Sequence, residues 1–80
     1  MPVFGIFSPD QSKCVIATKD QAILVDLSTG SELNLYDFIG IKDIKSCESD
    51  ENNFYVMANT RGEKQELGMY FVQIPINDNK

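Results

Sequence analysis

The sequence contains no histidine and no tryptophan, and its 80 residues include only two cysteines and three prolines. Without histidine, a serine–histidine or cysteine–histidine pair cannot form within the chain. The commonest side-chain metal ligand is missing as well. Cys14 and Cys47 lie 33 residues apart and fit neither a CxxC motif nor a zinc spacing. Each falls in a run that reads as strand. Buried free thiols and a single disulfide are the two readings, and a reducing compartment is expected. Basic residues are also scarce, with seven Lys and Arg against twelve Asp and Glu, a net charge of −5. A phosphate backbone or an anionic lipid surface would repel such a chain. No nucleic-acid partner and no membrane partner is therefore expected.

Long apolar runs are absent too. No stretch approaches the roughly 18 residues of a membrane helix. The N-terminus, Met-Pro-Val-Phe-Gly-Ile-Phe, lacks a basic region followed by a long apolar stretch. A cytoplasmic address is the expectation. Gly5, Gly30, Gly40, Gly62 and Gly68 form no phosphate-binding fingerprint, so no cofactor is expected.

Short apolar runs punctuated by turn residues fill the length. Val3–Phe7, Cys14–Thr18, Ala22–Leu27, Leu33–Tyr36, Ile44–Cys47, Phe54–Asn59 and Met69–Ile76 read as seven antiparallel strands. Ser8-Pro9-Asp10-Gln11, Lys19-Asp20-Gln21 and Ser28-Thr29-Gly30-Ser31 read as turns. Asp37–Asp43 reads as a connection, Glu48–Asn53 as an acidic turn, Thr60–Gly68 as a long hairpin loop and Asn77–Lys80 as a polar tail. Pro75 falls near a strand end, where a missing N–H matters least. The fold class is all-β, a single domain over residues 1–80.

The chain also resembles itself. Shifted by 41 residues, Val15-Ile16-Ala17-Thr18 faces Val56-Met57-Ala58-Asn59, and Ser8-Pro9-Asp10 faces Ser49-Asp50-Glu51. With six more residues in the Thr60–Gly68 loop, Ile23–Leu27 faces Tyr70–Ile74. The repeats span residues 3–36 and 41–76.

Phe7-Ser8-Pro9-Asp10, Val15-Ile16-Ala17-Thr18 and Ile23-Leu24-Val25-Asp26-Leu27-Ser28-Thr29-Gly30-Ser31-Glu32-Leu33 together resemble a WD-repeat propeller blade, a likeness that covers residues 3–36 well and 41–76 loosely. Val25 stands where that family places tryptophan, and Asp26 matches its aspartate. The glycine–histidine pair of the family has no counterpart, so its polar network is absent. The resemblance implies two propeller-blade-like repeats. Since propellers need about four to eight blades, it also implies a piece of a larger propeller, a self-assembling ring or a subunit of a complex. The alternative architecture is a small β-sandwich or barrel closed on itself.

Chemistry is sparse. Glu48, Asp50 and Glu51 cluster in a polar turn and read as solvated rather than as a catalytic pair. Asp50, Asn52 and Glu48 lack the glycine-bearing loop of an EF-hand calcium site. No catalytic or metal residue is expected. The functional expectation is a non-catalytic interaction or scaffold module that binds a protein partner or itself. The alternative is a small acidic inhibitor of a basic surface. The candidate partner-binding residues are Tyr36, Phe38, Ile39 and Ile41, which form either core or an exposed apolar patch, with Arg61 and Lys64 in the long loop.

Overall fold

The computed structural model describes residues 3–61 and 67–77, with the side chains of Arg61 and Leu67 excepted. It has seven strands: β1 (Phe4–Phe7), β2 (Lys13–Ala17), β3 (Gln21–Asp26), β4 (Ser31–Asp37), β5 (Ile41–Ser49), β6 (Asn53–Arg61) and β7 (Leu67–Pro75). All ladders are antiparallel between sequence neighbours, giving a four-stranded sheet β1-β2-β3-β4 and a three-stranded sheet β5-β6-β7. The two sheets make a small sandwich-like, unclosed fold. Among the described residues no helix is long and apolar enough to cross a membrane.

Each turn carries the chemistry its shape needs. Gly30 takes φ +75° and Gly40 takes φ +79°, the left-handed region that costs glycine nothing. Gly30 closes the β3–β4 turn by donating its N–H to the Asp26 carbonyl at 2.7 Å. Gly40 reduces the expected connection Asp37–Asp43 to three residues, Phe38-Ile39-Gly40. The acidic turn shrinks likewise, since Glu48 and Ser49 belong to β5.

Side-chain alternation then sorts the strands into faces. The inner face of the first sheet carries Val15, Ala17, Ala22 and Leu24, and that of the second carries Phe54, Val56, Ala58 and Ile74. They meet in one core, to which Phe38, Ile41, Ile44 and Ile76 also belong. The small pair Ala17↔Ala22 sits beside the larger Val15↔Leu24 in the β2–β3 ladder, so large and small side chains alternate. Each of the fully buried Phe54, Leu24, Ile74, Val15 and Val56 contributes about 1.5–3 kcal/mol. Of the strands in different sheets, β1 and β5 run closest together, and Ser49 Oγ ties them by donating to the Phe7 carbonyl at 2.9 Å.

Positions matched by the 41-residue shift, Val15 with Val56 and Ala17 with Ala58, lie on the two facing inner surfaces of this core. For β3 and β7 the ladders set a different offset. Val15 pairs with Leu24 and Val56 pairs with Val72, so the equivalent shift there is 48 residues rather than 47. That single residue reverses which face each side chain occupies.

Candidate interaction surfaces

The outer face of the four-stranded sheet is built by the residues between the core positions. The register aligns Gly5↔Ile16, Ile16↔Ile23 and Ile23↔Leu35, a continuous row across all four strands. A second row runs Phe7↔Cys14↔Val25 and ends at Glu32. Antiparallel sheets of small domains usually keep one face polar. Here the outer face is apolar along these two rows up to Glu32, and turns polar where Gln21 pairs with Asp37. Phe7, Ile16 and Leu35 are exposed, while Ile23 and Val25 are half-buried.

Cys14 is only 6% exposed, although it belongs to this outer face, because Phe7 and Val25 flank it in the ladder. Burial pushes its thiol pKa up, and the same holds for half-buried Cys47, which packs against the inner core. Both are free thiols, held in the protonated, unreactive form.

The outer face of the three-stranded sheet is mixed. Tyr55 stacks on Phe71 with ring centroids 5.7 Å apart, and Met57 pairs with Phe71 across the β6–β7 ladder. Toward β5 the surface turns polar, where Asn59 Nδ2 donates to Asp43 Oδ1 at 2.8 Å. Met69, Tyr70 and Phe71 on β7 are all exposed.

The acidic turns are occupied with their own backbone. Asp10 Oδ1 accepts from Ser8 Oγ at 2.8 Å, Ser12 N–H at 3.0 Å and Ser12 Oγ at 2.7 Å. These bonds lower its pKa from 3.8 to about 2. Buried Ser8 completes the turn by accepting from Lys13 N–H at 3.1 Å through its hydroxyl. Asp50 accepts from the Tyr55 hydroxyl at 2.6 Å and from the N–H groups of Asn52 and Asn53, which lowers its pKa and raises that of Tyr55. A shallow cavity of about 180 Å³ lies between the two turns, lined by Ser8, Pro9, Asp10, Glu51 and Ile76. Asp10 meets it already ionised and already hydrogen-bonded, which suits a structural acceptor and not a proton carrier near neutral pH. Among the described residues no group of three or more acidic or thiol side chains converges as metal ligands would.

The residues singled out between Tyr36 and Ile41 do not act as one patch. Phe38 is 8% exposed and Ile41 is similarly buried, both within the core, and Tyr36 packs against it. Ile39, at 94%, stands almost free on the β4–β5 turn. Lys64 and the side chain of Arg61 lie outside the described residues. In sequence the face at Ile16, Ile23 and Leu35 is masked, because Ala22–Leu27 is almost wholly apolar and reads as a buried strand. The missing polar alternation in that run was its one signal. Comparison with protein-family models, curated proteins and solved structures finds no match.

Proposed function

We propose that this chain is a non-catalytic protein-interaction module whose working surface is the outer face of its four-stranded sheet. The observation that carries this reading is the apolar row Gly5–Ile16–Ile23–Leu35, with Phe7 beside it. A contiguous exposed apolar surface on a sheet invites cover by another protein. The occupant that fits is an apolar sheet face of a partner, since the chain's own two sheets already meet that way. The likeness of residues 3–36 to a WD-repeat blade supports the same reading, because propeller blades are covered by neighbouring sheets on both faces. Two free thiols suit a cytoplasmic setting. The acidic-competitor alternative rests on net charge and the exposed Glu48 and Glu51, whereas Asp10, Asp26 and Asp50 are tied into their own turns.

The test is a comparison of co-isolated proteins from cells expressing the wild-type chain or the variant Ile16→Lys/Leu35→Lys. Both positions are exposed, so circular dichroism of the variant should match wild type. Proteins retained by wild type should be lost from the variant. Equal recovery by two equally folded chains would refute the assignment of this face.

A further inference from the structure

Among the described residues four strands end a sheet: β1, β4, β5 and β7. An open edge is a template for another strand, and proteins ordinarily blunt it with charge, bulges or shortness. β1 has four residues. β4 carries Glu32 and Asp37. β5 carries Lys42, Asp43, Lys45 and Glu48, and its register skips Lys42 and Lys45 as bulges. β7 has none of these protections over most of its length. Its nine residues, Leu67–Pro75, include no charged side chain, and its ladder with β6 is unbroken.

The free backbone groups of β7 can be placed. Ile76 N–H donates to the Asn52 carbonyl at 2.9 Å, so 52 and 76 form a hydrogen-bonded pair. Such pairs alternate along an antiparallel ladder. Gly68, Tyr70, Val72 and Ile74 therefore direct their backbone toward β6. Met69, Phe71 and Gln73 direct theirs outward. Pro75, with no N–H to leave unpaired, falls on the same outward side.

We infer that β7 pairs with β7 of a second copy about a two-fold axis at Phe71, joining the two three-stranded sheets into one of six strands. Phe71 is the midpoint of Leu67–Pro75. Antiparallel pairing about it sets Phe71 opposite Phe71 and Met69 opposite Gln73. In this register the outward-facing N–H and C=O groups of Met69, Phe71 and Gln73 meet one another. On the inner face Tyr70 comes opposite Val72. On the outer face the two Phe71 rings, each already stacked on Tyr55, come together where Phe71 is now 56% exposed. A second copy is the occupant because β7 about Phe71 is its own complement in outward backbone groups, and charge selects this edge over β4. Each chain carries −5, so copies meeting through β4 would bring carboxylates together, whereas β7 brings none. The surface is distinct from the outer face of the four-stranded sheet and does not depend on that reading.

Sedimentation equilibrium of the full chain, from micromolar to millimolar concentration, tests the pairing. Wild type should populate a dimer. Phe71→Lys and Phe71→Glu should each weaken it about 100-fold, because like charges then face each other at the axis. Both should keep the wild-type circular dichroism, since the position is exposed. An equimolar mixture of the two variants should recover association, as opposite charges meet. Gln73→Pro removes an outward N–H without touching the β6 ladder and should weaken the dimer independently. A wild type monomeric throughout, a dimer indifferent to these substitutions, or a mixture that fails to recover would each overturn the proposal.

Discussion

Phe38 meets Tyr70 edge-on, with ring centroids 6.1 Å apart and planes inclined at 73°. The contact joins the turn after β4 to β7, and so links the two sheets on the side away from β1 and β5. T-shaped pairs of this kind stabilise beyond their burial. Phe38→Ala should therefore lower unfolding stability by about 3–5 kcal/mol in a urea titration. Phe38→Asp should unfold the chain, because a buried carboxylate would have no partner. The neighbouring Ile39→Asp should shift stability by no more than about 0.5 kcal/mol. A folded Phe38→Asp variant would remove Phe38 from the core.

Stability should fall in acid over a defined window. Asp10 has a folded pKa of about 2 against an ordinary 3.8, and Asp26 and Asp50 are lowered in the same direction. A depressed carboxylate pKa favours the folded state above the ordinary value, and that contribution is lost as pH falls through the folded value. The urea midpoint should thus drop between about pH 4 and pH 2. Asp10→Ala should start from a lower midpoint and show a smaller drop across the same range. A variant with an unchanged pH response would show that the Ser8–Ser12 turn does not hold the charge.

The two thiols should react slowly in the folded chain. Both have raised pKa values through burial, and the thiolate is the reactive species. Modification by a thiol reagent at neutral pH should accelerate strongly once urea unfolds the chain. Fast labelling of Cys14 under native conditions would show that Phe7 and Val25 do not cover it.

Within the core, Leu24→Ala should cost about 2–5 kcal/mol, since the side chain is fully buried and its cavity lies between two sheets. A cost below 1 kcal/mol would mean that the site collapses freely.

Much of this fold was legible in the residues, and the reasons are local. Seven apolar runs become seven strands, and Ser8–Gln11, Lys19–Gln21 and Ser28–Ser31 reverse the chain between the first four of them. What could not be read was which way each strand faced. The six-residue offset in the β6–β7 hairpin misplaces β7 by one, and a strand displaced by one residue turns over. The Phe38-Ile39-Gly40 turn sends adjacent side chains in opposite directions, so one apolar segment yields two core residues and one exposed isoleucine. The outer face was hidden by its own apolarity. A strand such as Ala22–Leu27 looks the same in sequence whether its second face is covered within the chain or left for a partner.

Site-specific photo-crosslinking in cells tests the central claim most directly. A photoreactive amino acid placed at Ile16, Ile23 or Leu35 should yield discrete protein adducts, and the same group at exposed Lys19 or Glu51 should yield none. Adducts absent from all three sheet positions, or equally abundant at the control positions, would contradict the assignment of this face as the working surface.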